Sequence, residues 1–303
     1  MKIVIAGGTG FLGRPLAAAL AADGHDLAVL TRKDSPRPPP DRARAVPWVP
    51  DGAAGPWAAE IDGAGAVVNL AGESIAARRW SAEHKRRVLE SRVNATHSLA
   101  DAVRAAAAPP EVFVSGSAVG YYGPRGDELV TEETPAGSDF LARVCTQWEA
   151  EAHRAASPRT RAVYVRTGLV LEKDGGALPQ MLLPFKLGAG GPVGSGRQYW
   201  PWIHRQDWID LVRWTIRTPA VSGPVNAAAP NPVTNKAFAQ ALGRALHRPA
   251  FMPAPAFALR ILLGEMADAL LLSGQRVVPA RAERLGFTFR YTEPDAALRA
   301  IFT

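Results

Sequence analysis

Residues 2–13 read KIVIAGGTGFLG, an unbroken apolar run from Lys2 to Ala6 that ends in Gly7-Gly8-Thr9-Gly10-Phe11-Leu12-Gly13. The four apolar residues after Lys2 fit a buried strand, and the Ala- and Leu-rich periodicity of Phe11 to Ala22 fits a helix, so the glycines lie in a strand-turn-helix. In that position they satisfy both G-x-G-x-x-G and G-x-x-G-x-x-G. Glycine permits the tight turn, lets backbone approach a pyrophosphate, and lets helix sit close on strand. The N-terminus of the following helix then offers its amides to the anion. The turn residues expected to bind a dinucleotide are Gly7, Thr9, Gly10, Phe11, Leu12 and Gly13.

A second apolar strand, Asp26 to Thr31, follows and ends in Thr31-Arg32-Lys33. An NAD-specific site carries an acidic residue there for the ribose 2'-hydroxyl. A guanidinium stacks on adenine and pairs with a 2'-phosphate, so Thr31 and Arg32, with Lys33 in support, point to NADP(H). Buried strands then alternate with helices: Ala66–Leu70, Val112–Ser115, Val163–Arg166 and Val225–Ala228 against 81–107, 140–155 and 207–217, the last opening at an acidic cap, Asp207. That alternation predicts an α/β fold with a Rossmann-type doubly wound parallel sheet. Prolines at 36, 38, 39, 40, 47 and 50 predict a loop, not a helical crossover, after the second strand. Past Gly168 a Gly/Pro-rich run suits the wall or lid of a cleft. The tail from Thr234 is mostly helical and predicts a smaller substrate-side lobe. The expected division is 1–170 with a returning segment 207–228 for the cofactor domain, and 171–206 with 229–303 for the lobe.

Composition narrows the function classes. The chain has 303 residues, 47% of them hydrophobic and 21% charged, which suits a folded globular protein with a sizeable core. One cysteine, Cys145, supplies neither an intramolecular disulfide nor a thiolate cluster, and no secretory h-region is visible, so a cytoplasmic protein is expected. The six histidines show no H-x-x-x-H spacing, and no metal site is expected. The net charge of +7 would suit an anionic partner, yet the basic run Arg78, Arg79, Lys85, Arg86, Arg87 and Arg92 alternates with Leu, Val and Glu as a solvated helix face does. The expected partner is a small-molecule substrate, with no nucleic acid and no membrane: the apolar stretch Phe251 to Leu272 is broken by Arg260, Glu265 and Asp268.

Taken together, Gly7 to Gly13, Asn69-Leu70-Ala71-Gly72, and Ser115-Gly116-Ser117 before Tyr121-Tyr122-Gly123 resemble the extended short-chain dehydrogenase/reductases, relatives of nucleotide-sugar epimerases. More narrowly, GESIAARRW, FLARVCTQWEAEA, GGPVGSGRQYWPWIH and SGQRVVPARAERLGF are similar to an atypical YfcH-like branch of the NAD(P)-dependent epimerase/dehydratases with its own C-terminal domain. The resemblance spans essentially the whole chain. It implies a Rossmann lobe, NADP(H), an epimerase-like or oxidoreductase activity, and Leu70, Ala71, Gly72, Glu73 and Arg78 close to the cofactor, with Arg79 beside them. It also implies a serine near the nicotinamide, Ser115 or Ser117.

One departure stands out. The resembled family uses Tyr-x-x-x-Lys, in which lysine and oxidised nicotinamide lower a phenol pKa so that tyrosine exchanges a proton. Here Tyr121, Tyr122, Tyr164, Tyr199 and Tyr291 are followed four residues on by Arg125, Gly126, Gly168, Ile203 and Asp295. Aligning the Trp148-Glu149 helix puts Leu141 and Cys145 where the pair would be. The candidate proton carriers are therefore Tyr121 and Tyr122, just past the serines, then His204, with Ser115 in the family's serine position. A non-catalytic NADP(H)-binding sensor or assembly protein is the competing reading.

Overall fold

The computed structural model describes residues 1–32 and 38–303. Its central element is a parallel sheet of seven strands: β1 (Lys2–Ala6), β2 (Asp26–Thr31), β3 (Ala43–Pro47), β4 (Ala66–Asn69), β5 (Val112–Ala118), β6 (Arg161–Thr167) and β7 (Gly223–Ala227). In space they run β7-β6-β5-β4-β1-β2-β3, so the order reverses between β1 and β4, with β1 paired on one side to β2 (Ile3 with Leu27) and on the other to β4 (Ile3 with Ala66). Such a reversal opens a crevice at the carboxyl ends of the strands, where dinucleotides bind in this architecture.

Alternation along β1 assigns the two faces. Ile3 and Ile5 join Leu16 and Leu20 of α1 (Gly13–Ala22) in one core layer. Val4 and Ala6 join Leu99 of α2 (Ala82–Ala105) and Ala152 of α3 (Phe140–His153) in the other. The sheet is thus covered on both sides, as its continuously apolar strands require. Ser81 caps α2 by accepting from the His84 amide at 3.1 Å, and Asp139 caps α3 by accepting from the Ala142 amide at 2.8 Å.

The segment after β2 carries more structure than its prolines predict. Residues 43–47 form β3, parallel to β2. Strand pairing survives Pro47 because β3 is the outermost strand, where a missing N–H costs no ladder bond. Beyond β6 the chain forms α4 (Leu178–Lys186) and two short strands, Leu169–Leu171 beside Trp202–His204, then α5 (Arg205–Arg217) on the sheet. The cap of α5 is His204, whose Nδ1 accepts from the Gln206 amide at 3.0 Å, not Asp207 as the sequence suggests. Asp207 is buried, and its carboxylate accepts the Arg290 and Tyr291 amides at 2.9 and 3.0 Å.

A third core gathers Leu178, Phe185, Trp202, Phe238 and Leu298, built from α4, α6 (Asn235–Leu246) and the helix Pro294–Phe302. This C-terminal lobe is mostly helical. Between these two helices the chain returns to the sheet, where Ala282 and Phe289 enter the core layer of Ile3 and Ile5. No helix among the described residues is long and apolar enough to cross a membrane.

Candidate functional site

The turn after β1 is shaped by what a side chain would meet. Gly7 has φ +78°, and a Cβ on it would lie 2.7 Å from the Leu70 carbonyl carbon. A Cβ on Gly13 would lie 2.1 Å from the Gly7 oxygen, so helix and turn touch there. Gly10 differs: it is exposed, and a Cβ would meet only the Gly7 oxygen at 3.3 Å. The Gly10 amide donates to that oxygen at 3.0 Å, which closes the turn. Helix α1 starts with no side-chain cap and no acidic residue in its first turn, leaving its dipole unopposed for an anion. Over the turn lies the loop after Leu171, with Gly175 and Gly176 against the Phe11 ring and the Arg205 guanidinium 5.5 Å from that ring's centroid.

Arg32 is exposed at the end of β2, one residue past half-buried Thr31; Lys33 lies outside the described residues. The loop after β4 runs beside the glycine turn, with the Leu70 amide donating to Ala6 O at 2.9 Å. Asn69 organises it: its Nδ2 donates to Thr96 Oγ1 at 2.8 Å, and its Oδ1 accepts the Ala71 amide at 3.1 Å. Gly72 and Arg78 are exposed. The Glu73 carboxylate faces cations on the chain itself, with Arg87 at 3.1 Å and Arg78 at 4.0 Å. It therefore holds the loop to α2.

Past the end of β5 the chain builds a buried polar cluster. Arg166, on β6, makes a two-pronged pair with Glu149 of α3, Nε to Oε1 at 2.8 Å and Nη2 to Oε2 at 2.7 Å. Ser117 donates to Glu149 Oε1 at 2.6 Å. Arg166 Nη1 donates to the Tyr122 hydroxyl at 3.0 Å, which itself donates to Asn226 Oδ1 at 2.6 Å. Glu132 accepts the Asn226 and Arg281 amides at 3.0 and 3.1 Å. The guanidinium of Arg166 also lies 3.4 Å from the centroid of the Tyr121 ring. Arg166, directly after the apolar run Ala162–Val165, was the sequence signal for this cluster, because a buried guanidinium requires a partner.

The four candidate proton carriers fare differently in these surroundings. Ser115 is fully buried and donates to its neighbour's carbonyl, Gly116 O, at 3.1 Å. Burial pushes the Tyr122 phenol up to about 12, and its oxygen is committed to Asn226 and Arg166. His204 is tied up as the α5 cap, its ring stacked on Tyr291 at 4.1 Å, and burial holds its pKa below the ordinary value. Tyr121 is half-buried, and among the described residues no hydrogen bond reaches its hydroxyl. The turn that carries it, Val119–Tyr122, lies against Leu141: a Cβ on Gly120 would be 3.1 Å from Leu141 Cβ. Cys145 is buried, and desolvation pushes its thiol up to about 12, far from a thiolate at neutral pH.

The likenesses to known proteins agree with this geometry. The profile of the NAD dependent epimerase/dehydratase family matches residues 3–228, and that of a domain of unknown function (DUF1731) matches residues 254–301. The chain is 40% identical over 304 residues to the human epimerase family protein SDR39U1, covering 99% of each. It is 43% identical over 303 residues to the chloroplastic SDR39U1 homolog of Arabidopsis thaliana, covering 99% of this chain and 86% of that one. The crystal structure of human SDR39U1 isoform 2 with NADPH matches with a TM-score of 0.89 at 38% identity, covering 100% of this chain and 99% of that one. UDP-glucuronic acid 4-epimerase from Bacillus cereus, in complex with NAD, matches with a TM-score of 0.78 at 14% identity, covering 100% of this chain and 97% of that one; this likeness is one of fold.

Proposed function

The chain belongs to the NAD dependent epimerase/dehydratase family, and from that premise we propose that it binds NADP(H) across the β1/β4 crevice and acts as an oxidoreductase or epimerase-like enzyme on a small polar substrate. The observation that carries this reading is the open face of Gly10 above the uncapped start of α1. Gly7 and Gly13 are needed by the fold itself, whereas the absence of a side chain at Gly10 serves a ligand approaching from solvent. The human relative solved with NADPH supports the choice of cofactor, as does Arg32 at the end of β2.

When bound, the nicotinamide supplies or accepts a hydride. A proton must then leave or join the substrate oxygen, and the family's pair for that work is replaced by Leu141 and Cys145. We assign the proton to the Tyr121 hydroxyl. It lies on the turn packed against Leu141, beside the position the family's tyrosine would take, with Arg166 supplying a fixed positive charge under its ring at 3.4 Å. The same replacement favours a second reading, a cofactor-binding protein without turnover. Tyr121→Phe separates them. In the enzyme it lowers turnover of NADPH-consuming or NADP-consuming substrates by about 10² to 10⁴ and leaves NADPH affinity unchanged. Stoichiometric binding with no turnover across aldehyde, ketone and nucleotide-sugar substrates selects the second reading and sinks the first.

A further inference from the structure

Ten large hydrophobic side chains are exposed among the described residues, and seven of them fall in two short segments of the C-terminal lobe. Leu183 and Leu187 lie at the end of α4. Phe251, Met252, Phe257, Ile261 and Leu262 lie on and just before α7 (Ala256–Leu263), a helix with no buried residue. All seven are between 47% and 74% exposed. The two segments are neighbours in space: the Met252 amide donates to Gly190 O at 3.0 Å, and the Gly188 amide donates to Phe185 O at 3.0 Å. On α7 itself, Phe257, Ile261 and Leu262 share an outward stripe, while Leu259 and Leu263 form a half-buried inner one. Solvated helices bear charge on their outward face, whereas here one cation, Arg260, already paired with Asp268, stands among hydrocarbon.

The net charge around the patch is positive. From Gly175 to Gln206 and from Leu211 to Gly264 there is no Asp or Glu. Lys186 and Arg248, beside Leu187 and Phe251, are exposed and have no carboxylate partner among the described residues; Lys236 and Arg197 are in the same condition nearby. A hollow of about 670 Å³ between α6 and Phe251 is lined by Arg244, His247 and Arg248. The carboxylates nearest in sequence to α7, and the one on Arg244, are already engaged: Asp268 with Arg260, Glu265 with Lys85 and Asp295 with Arg244.

We propose that this face, the end of α4 together with residues 251–262, seats on an anionic lipid surface. Apolar side chains on a short helix ringed by uncompensated cations are what an interface of acyl chains beneath phosphate headgroups attracts. A second copy of the chain is the poorer occupant, since self-pairing brings Lys186, Arg248 and their neighbours against one another. No helix among the described residues is long and apolar enough to cross a membrane, and a helix lying in the headgroup plane need not be.

The test uses the full-length protein and sedimentation with vesicles. Phosphatidylcholine vesicles containing phosphatidylserine pull it down, phosphatidylcholine alone does so weakly, and raised salt weakens capture. Ile261→Asp with Phe257→Ser lowers partitioning by at least about tenfold, with NADPH affinity and circular dichroism unchanged. Should that variant fold poorly, the surface changes Lys186→Ser and Arg248→Ser carry the test, with a selective loss on anionic vesicles. No sedimentation at any composition overturns the proposal. So does a dimer seen by light scattering that dissociates in the Phe257 and Ile261 variant, which would give the face to a second copy.

Discussion

Gly10 and Gly13 share a turn but have different reasons to lack a side chain, and substitution separates them. Gly10→Val brings a Cβ no nearer than 3.3 Å to the Gly7 oxygen and otherwise faces solvent, so the fold stands and NADPH binding is lost. Gly13→Val puts a Cβ 2.1 Å from the Gly7 oxygen, so the protein itself is destabilised. Thermal melts and NADPH titration of the two variants check this, and wild-type affinity in Gly10→Val would mean that the turn does not hold the pyrophosphate. Arg32→Ala tests the cofactor choice: a loss of about 1.5–3 kcal/mol confined to NADPH is expected, the size of a hydrogen bond to a charged group. Equal weakening of NADH would remove the guanidinium from the 2'-phosphate. The glycine turn and the place of Arg32 at the end of β2 were legible because both follow from local sequence. Glu149 and Glu132 were not, since each meets its partners only after distant segments converge on Arg166 and Asn226.

At the scale of elements, α5 depends on a titratable cap. His204 Nδ1 must be unprotonated to accept the Gln206 amide, and burial holds its folded pKa below the ordinary 6.5, against the pull of Glu172. A depressed pKa means that the unfolded chain takes up the proton first. The stabilisation is therefore complete above about pH 6.5 and is lost as pH falls from there through the folded value. His204→Asn keeps a cap acceptor without the titration, so its denaturation midpoint should fall less than that of wild type between about pH 7 and 5. Parallel curves would show that the ring's proton is not linked to folding. The strands and long helices were readable because hydrophobic period and caps are local. Strand β3 escaped because its alternation is short and proline-flanked, and only pairing with β2 makes it a strand.

For the whole molecule, the two lobes share hydrogen-bonded and apolar ties that no boundary in the sequence announces. Asp207 holds residues 290 and 291, and Phe289 sits in the sheet's own core layer. NADPH at about a hundredfold its Kd should therefore stabilise the protein by about 2.7 kcal/mol in one cooperative transition. Two calorimetric peaks, with only one shifting, would show lobes that melt apart. The return of Ala282 and Phe289 to the layer begun by Ile3 also bears on biosynthesis. As the chain leaves the ribosome, the underside of β1 stays short of its last apolar cover until residues 282–289 have been translated. A chain cut short after α6 leaves that apolar face uncovered, so it is expected to aggregate or be degraded where the full sequence folds, as expression of the two side by side would show.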